Sequence, residues 1–372
     1  MRISRQVRIL IVLLAFSLMC LQRYFKFVFD DDGLSERTIN YTVFVLMMLS
    51  FDYRHFKAPL FILLLILPIG LFIRRYLPIW ILLGLAYQIC QLKIPIRKVA
   101  LIGFIIISSE LFVQYMLISH GVINDVTRKT LKASGLMHTW GMGNGNNLAS
   151  FFFQAYALLY IAWGDKRWIS YLILTIITGF WMYMYTCSRT PYYSLLIICA
   201  CVLLLHIKAF QIRTKYLFAI LVPLLFCMTL YLSLFTQGAD RAEMDSITSG
   251  RISGITYYFS HMSLRSLLIG MDRPEKMALD SAYLDMLLQG GVIYALFFCI
   301  ICYKAFVNSF YWIKQYIPFI IGILASGMAE STFTVLTPMS VLTWAILLNA
   351  AFPSNRPVIR KTAHKMHISL TV

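Results

Sequence analysis

The sequence predicts an all-α polytopic membrane protein with about twelve transmembrane helices. Of its 372 residues, 60% are hydrophobic and only 13% are charged, and the mean hydropathy is +0.74. The apolar residues form long runs rather than amphipathic periods, and a membrane-spanning helix needs about 20 mostly apolar residues. We therefore expect one integral membrane domain over residues 1–372.

Apolar runs separated by charged residues predict the helices in chain order. The first run follows Arg2, Arg5 and Arg8 and has no small-x-small cleavage site, so it predicts an uncleaved helix rather than a secretory signal. The predicted helices cover residues 7–24, 38–51, 58–73, 77–92, 99–121, 147–163, 168–187, 191–206, 216–236, 282–304, 315–329 and 332–351.

Basic residues between these helices predict the orientation. With a cytoplasmic N-terminus, 19 of the 33 Lys and Arg residues lie in the N-terminal segment, in inner connections or in the basic tail at 352–372, and such residues resist export. The C-terminus is then cytoplasmic as well. The net charge of +17 is explained by this topology and by attraction to anionic lipid, and it does not indicate nucleic-acid binding.

The same orientation places the acidic turn at 30–36, the loop at 122–147 and a large segment at 237–281 outside. Functional residues are expected in these external segments, because the inner loops are too short to hold a site. Acidic and basic residues nearly balance within 237–281, so any anion bound there is held by particular arginines.

Two arginines are candidates for anion binding. Arg251 lies in "SGRISGITYYF", where glycines permit a break and the aromatic residues suit an interfacial helix. Arg189 lies in "TCSRTPYY", where Ser188 or Thr190 is predicted to cap a helix whose positive dipole end faces outward. The guanidinium fork suits phosphate. The simpler alternative for Arg251 is an interfacial arginine bound to lipid headgroups or a nearby carboxylate. For Arg189 the alternative is a capped turn with a snorkelling arginine, and the coincidence of cap, helix dipole and guanidinium favours anion binding over it.

Several titratable groups are further candidates. Glu110 and Glu330 lie within or against apolar helices, where a carboxylate costs about 2.5 to 3.5 kcal/mol and is paired, protonated or functional. Three histidines, His120, His138 and His261, are predicted outside, and a lone external histidine is usually a surface group. No pair of them has metal-ligand spacing, so no metal is predicted.

The segment 249–298 resembles the large external loop and following helix of Wzy-type O-antigen and capsular polysaccharide polymerases, a family related to the O-antigen ligases. The matching features are Arg251, the aromatic stretch Tyr257 to Phe259, "LLIG" at 267–270, "DSAYL" at 280–284, and the pair Gly290 and Gly291. "SRT" at 188–190 and "GNGNNLASFF" at 143–152 are also similar to the family. Ligases have a histidine where Asp280 stands, which favours a polymerase.

The resemblance implies a GT-C-like fold and transfer of a growing glycan from undecaprenyl pyrophosphate to a lipid-linked repeat unit at the outer face of a bacterial cytoplasmic membrane. Arg251, Arg189 and Arg265 would bind pyrophosphate, and Ser188, Thr190 and Tyr283 would contact substrate. Asp280, His261 or Glu330 would accept the proton of the acceptor hydroxyl. This scheme requires no cofactor, and a flippase and a chain-length regulator are possible partners.

Two other functions remain open. A ligase-like enzyme would transfer a finished glycan onto a single acceptor. A transporter of lipid-linked oligosaccharide would also fit about twelve helices, although the chain has no inverted repeat and its polar residues gather in one external segment rather than at mid-membrane.

Overall fold

A computed structural model of the protein describes residues 3–28, 34–51, 77–125, 128–129, 136–142, 144–164, 166–206, 214–234, 251–271, 281–330 and 334–352. The predicted all-α class is confirmed for these residues. Strand structure among them is limited to β1 (Arg128–Lys129) and β2 (Leu136–Met137). The two strands pair antiparallel, with Arg128 opposite Met137.

The helices follow the predicted order. They are α1 (Arg5–Val28), α2 (Leu34–Ser50), α3 (Leu77–Gln91), α4 (Ile96–Ser119), α5 (Gly145–Leu159), α6 (Trp168–Thr186), α7 (Arg189–His206), α8 (Thr214–Leu234), α9 (Arg251–Ser260), α10 (Leu264–Ile269), α11 (Ala282–Asn308), α12 (Phe310–Ile313), α13 (Ile317–Ser326) and α14 (Pro338–Ala351).

A π-helical turn, Tyr160–Gly164, continues α5, and a 3-10 turn, Lys314–Tyr316, precedes α13. The predicted boundaries hold to within a few residues for most helices. The last helix is the main correction: it begins at Pro338 and not at residue 332. The Thr337 side chain accepts a hydrogen bond from the Ser340 N–H at 3.2 Å, and proline suits the first helical turn, so these two residues set the start.

Five helices are long and apolar enough to cross a membrane, by length and composition. They are the Arg5–Gln22 part of α1, then α4, α6 and α7, and the Gly290–Asn308 part of α11. Three apolar helices are shorter: α3, the Ala219–Tyr231 part of α8, and α14. These numbers cover the described residues alone, and the helix predicted at 58–73 lies outside them.

The exposed faces of these helices are apolar. In α6 one face is buried and includes Thr175, Gly179 and Met182, whereas the opposite face exposes large apolar side chains. The exposed residues include Ile169, Ile173, Ile176, Ile177 and Phe180. An outward-facing stripe of this size is unfavourable in water but is matched by lipid. The protein is therefore embedded in a membrane.

Contacts between helix termini define two ends of the helical bundle. We call one the Arg97 end: there Arg97 donates from Nη2 to Gln315 Oε1 at 3.2 Å, and the Tyr160 hydroxyl donates to the Gln315 carbonyl at 3.0 Å. The rings of Trp168 and His206 stack at the same end, with centroids 4.3 Å apart.

The opposite end, which we call the Arg189 end, joins the start of α5 to the turn between α6 and α7. Gly145 lies so close to the Thr186 carbonyl that an added Cβ would be 2.8 Å from its oxygen. The Ala282 N–H donates to the Gly327 carbonyl at 2.8 Å, and α13 runs from the Arg97 end toward Gly327. The start of α11 therefore also belongs to the Arg189 end.

Helix α11 is broken at Gly291, where φ is 70° and ψ is −179°. The break lets the α11 backbone approach α10, because an added Cβ at Gly291 would collide with the backbone of Leu268. The Met271 N–H donates to the Leu288 carbonyl at 2.7 Å and ties the same two segments together. Helices α9 and α10 are thus docked on the first part of α11.

Candidate functional site

The turn between α6 and α7 presents Arg189 at the Arg189 end. Helix α6 ends at Thr186, and Cys187 adopts a left-handed conformation with φ of 54° that reverses the chain. Helix α7 then begins at Arg189, whose side chain is exposed. Within the described residues, its guanidinium makes no hydrogen bond or ion pair.

The predicted cap of α7 is not formed. Ser188 is buried, and its hydrogen bond runs from its own N–H to Thr186 Oγ1 at 3.4 Å. The Thr190 carbonyl accepts from Ser194, and its hydroxyl caps nothing in the described part of the chain. The first N–H groups of α7 are therefore open beside the Arg189 guanidinium, an arrangement that favours an anion.

The loop after α4 contains a pair that the sequence did not predict. His138 Nδ1 and Asp125 Oδ2 are 2.6 Å apart. The other carboxylate oxygen, Oδ1, accepts from the backbone N–H groups of Thr139 and Trp140 at 3.1 and 3.0 Å. Burial alone would raise the pKa of the Asp125 carboxyl, but the hydrogen bonds from His138 and from these two backbone groups outweigh it, and the pKa lies below its ordinary value.

The same pair is held against the end of α6. The His138 ring stacks on the Tyr185 ring, with centroids 3.9 Å apart and planes 10° apart. The backbone N–H of His138 donates to the Tyr185 carbonyl at 3.1 Å. The Trp140 indole N–H donates to the Tyr185 hydroxyl at 3.1 Å. Because Tyr185 precedes Arg189 by a single short turn, the pair and the arginine lie on neighbouring parts of one surface.

Helices α9 and α10 carry the candidates from the large external segment. Arg251 is the first residue of α9, and its backbone alone is described. His261 is exposed, and its Nδ1 lies 2.8 Å from the Tyr257 carbonyl oxygen and 3.1 Å from Ser260 Oγ. Arg265 on α10 is exposed and has no hydrogen-bond or ion-pair partner among the described residues.

Tyr258 anchors this helix pair to the bundle. Its side chain is buried against Leu284 and Leu288 of α11. Its neighbours Tyr257 and His261 stay exposed on the other face of α9, with ring centroids 4.3 Å apart. A helix is therefore present at the predicted aromatic stretch, and its aromatic residues are divided between packing and surface.

The start of α11 is built mainly for packing. Tyr283, predicted to contact substrate, is buried, and its hydroxyl donates to the Leu324 carbonyl at 2.8 Å. Its ring meets Phe226 edge to face at 4.7 Å. A side chain used in this way has no free polar group for a ligand, so the structure gives its predicted role no support. Asp280 lies outside the described residues.

Two carboxylates lie near this start. Glu330, a predicted proton acceptor, is half-buried in the turn after α13, where its N–H donates to the Ser326 carbonyl at 2.9 Å. Asp285 was not singled out from the sequence, yet it is 3% exposed and accepts a hydrogen bond from the Thr334 hydroxyl at 3.0 Å. The sequence did offer a signal for Asp285, because it directly follows the "DSAYL" motif and is a carboxylate at the start of an apolar helix, where such groups are usually functional.

The structure therefore pairs two residues that the sequence did not connect, Asp125 and His138, at the same end of the bundle as the predicted Arg189. No known family model, no curated protein and no solved structure matches this chain.

Proposed function

We propose that the protein is a polysaccharide repeat-unit polymerase, a metal-independent glycosyltransferase of the bacterial cytoplasmic membrane. It would transfer a glycan from undecaprenyl pyrophosphate to a sugar hydroxyl of a second lipid-linked repeat unit. The proposal rests on the sequence resemblance and is carried by one structural observation, the open start of α7 beside the unpartnered Arg189. It implies about twelve spans, a GT-C-like fold and no nucleic-acid partner.

Charge at the two ends supports the proposed orientation. The described acidic residues lie at the Arg189 end or, for Glu110, within α4. The described basic residues of the Arg97 end are the ten residues Arg5, Arg8, Lys93, Arg97, Lys98, Lys166, Arg167, Lys215, Lys304 and Lys314. Those of the Arg189 end are the eight residues Arg23, Lys26, Arg37, Arg128, Lys129, Arg189, Arg251 and Arg265. Basic residues concentrate on the cytoplasmic side of membrane proteins. The Arg97 end and both termini would then be cytoplasmic, and the Arg189 end would face outward.

The chemistry needs positive charge where the pyrophosphate leaves. Negative charge builds on the leaving group in the transition state, and preorganised cations and helix N–H groups stabilise it. Arg189 would supply this charge, and Arg251 and Arg265 would supply it from α9 and α10. Holding two lipid-anchored reactants at one surface would also remove much of the entropic barrier to their encounter.

The test is glycan growth by purified protein in liposomes. The probe is the undecaprenyl-pyrophosphate-linked oligosaccharide extracted from cells that lack this gene, and the product is a ladder on a gel. Arg189→Ala is expected to lower the rate by about 10²-fold or more, because one transition-state contact is lost. Arg189→Lys should recover part of it, since charge returns without the fork.

Arg167→Ala is the matched control, because Arg167 is also an exposed arginine beside the first residue of an apolar helix but lies at the Arg97 end. Its rate should equal that of the unmodified protein. Absence of any glycan growth by the unmodified protein would overturn the polymerase proposal. Undiminished ladders in both Arg189→Ala and Arg251→Ala would show that these arginines do not stabilise the leaving pyrophosphate. A single capped product would identify a ligase-like enzyme instead.

A transporter is the second candidate, because α11 is interrupted at Gly291 near the buried Asp285. Broken helices with buried carboxylates are common at transport sites. Movement of the same lipid-linked oligosaccharide across the liposome membrane without glycan growth would favour it.

A further inference from the structure

We propose that His138 is the general base of this site and that Asp125 positions it. The inference rests on the proposed glycan transfer, and it assigns the proton acceptor to a pair of residues in the loop between α4 and α5. Their separation of 2.6 Å between Nδ1 and Oδ2 is that of a charge-assisted hydrogen bond.

The hydrogen bonds of Asp125 determine which nitrogen of His138 can act. A carboxylate accepts hydrogen bonds, so Nδ1 carries the proton that it donates to Oδ2. The lone pair of the neutral ring then lies on Nε2. Within the described residues Nε2 has no hydrogen-bond partner, and 28% of the His138 side chain is exposed. The ring is therefore fixed in the tautomer and orientation that accept a proton from a hydroxyl group.

The surrounding loop is rigidly built. Trp140 and Gly141 both have positive φ, of 48° and 70°, and this sharp turn wraps the chain around Asp125 Oδ1. Gln114 of α4 is buried and donates to the Trp140 carbonyl at 2.5 Å. The Tyr185 ring covers one face of the imidazole. Catalytic groups need this kind of support, because errors of about 1 Å in position are expensive.

Position relative to the cation also fits. The His138 ring stacks on Tyr185, and Arg189 follows that residue after one short turn. Gly145, at the start of α5, closes the same surface against the Thr186 carbonyl. A proton acceptor and a cation for the leaving group are therefore available at neighbouring points of the Arg189 end.

In the proposed transfer, the acceptor hydroxyl passes its proton to His138 Nε2 while its oxygen attacks the anomeric carbon of the donor glycan. The bond from that carbon to the pyrophosphate oxygen breaks, and the electron pair leaves with the pyrophosphate. Asp125 stabilises the imidazolium that forms and stays ionised, and the imidazolium then releases its proton to water.

Among the residues that the structure describes, three elements bring titratable groups toward the ring. Asp125 faces Nδ1, the Tyr185 phenol lies under the ring, and the Tyr115 phenol of α4 lies within electrostatic range of Tyr185. Arg128 and Lys129 lie on β1, which pairs with β2 immediately before His138.

Two variants separate catalysis from loop structure. Gln at position 138 can still donate to Asp125 but cannot accept a proton, so His138→Gln is expected to lower the rate of glycan growth by about 10²-fold or more. Asn at position 125 keeps an oxygen for the two backbone N–H groups but offers an N–H₂ donor toward the ring. Asp125→Asn should therefore reverse the tautomer and cause a loss of similar size.

Initial rates are measured from about pH 5 to about pH 9, the range in which a histidine base titrates, with the probe used above. A rate that depends on a neutral histidine base falls on the acidic side, so the unmodified protein should show such a fall and the residual activity of His138→Gln should not. His120→Gln is the matched control, because His120 is exposed at the same end and bonds locally to Ser119. It should keep the rate and the pH profile. Thermal melting shows whether each variant is folded.

The outcomes distinguish a wrong base assignment from a wrong proposed function. If the unmodified protein extends glycans and His138→Gln keeps its rate and pH profile, the base assignment is wrong and the polymerase proposal stands. If the variant loses activity only in proportion to folded protein, with the acidic fall unchanged, His138 is structural and the inference is also wrong. If the unmodified protein extends no glycan, the proposed function fails, and the assignment that rests on it fails too.

Discussion

Replacing Gly291 by alanine tests whether α10 is docked on α11. Gly291 has a φ of 70° and a ψ of −179°, a region that is almost restricted to glycine, so alanine there is strained by about 1–3 kcal/mol. The added Cβ would also lie 2.6 Å from the Ile269 backbone nitrogen and would collide with the Leu268 carbonyl. Because these obstacles are backbone atoms, no rotamer change relieves them, and overpacking adds about 1–3 kcal/mol.

Backbone strain and overpacking together cost at least about 2 kcal/mol, which should favour local separation of α10 from α11. Hydrogen exchange of the peptide 264–271 measures this separation, because the Met271 N–H donates to the Leu288 carbonyl across the contact. Exchange should accelerate by about 30-fold, since each 1.4 kcal/mol is a factor of ten. Gly121→Ala is the control: Gly121 also has a φ of 70°, but nothing lies within 4 Å of its added Cβ. It should carry the backbone strain alone and leave exchange at 264–271 unchanged. Equal exchange in Gly291→Ala and the unmodified protein would refute the described docking.

Three other predictions concern buried polar groups and pH. Tyr283→Phe removes the hydrogen bond to the Leu324 carbonyl and should lower stability by about 1 kcal/mol in thermal melts, with no change in the substrate concentration that gives half-maximal rate. Thr334→Val leaves Asp285 Oδ2 without this donor and should lower stability by about 1–3 kcal/mol, whereas Thr334→Ser should restore most of it. The pKa of the Asp125 carboxyl is lower in the folded protein than in the unfolded chain, so its ionised form stabilises the fold above its ordinary pKa, and this contribution is lost as the pH falls toward the folded-state pKa. As far as this group is concerned, the melting temperature should be equal at about pH 7 and about pH 5 and should fall below about pH 4. In Asp125→Asn that part of the fall should disappear, and an unchanged acid profile would contradict the assignment.

The helices could be predicted from the sequence because each is a local apolar run with charged residues at its ends. The prediction at 38–51, the shortest of the runs, corresponds to α2, and its start differs by four residues. Here a tertiary contact accompanies the longer helix, since Gln22 Nε2 of α1 donates a hydrogen bond to Glu36 Oε1 at 3.3 Å. The start at Pro338 was missed because hydropathy does not register a cap, whereas the hydroxyl of Thr337 does decide where the helix begins.

The candidate site could be predicted only in part. Arg189 was identified because cap residues, proline and arginine coincide in a short stretch, but Ser188 and Thr190 form no cap once the chain is folded. His138 was interpreted as a lone surface histidine, since its partner Asp125 lies 13 residues away and nothing in the intervening residues signals the contact. Such a pair depends on how a loop closes, and loop closure is determined by contacts with other elements.

By itself the sequence determined that this is an α-helical membrane protein and in what order its described helices follow, because both properties depend on hydropathy and charge summed over neighbouring residues. Only the tertiary structure shows that Asp125 pairs with His138 at the end of the bundle that carries Arg189, that the Tyr283 side chain is buried and hydrogen-bonded, and that α11 breaks where it contacts α10. These features depend on single atoms from distant segments that meet at about 3 Å, and a linear pattern does not encode such distances.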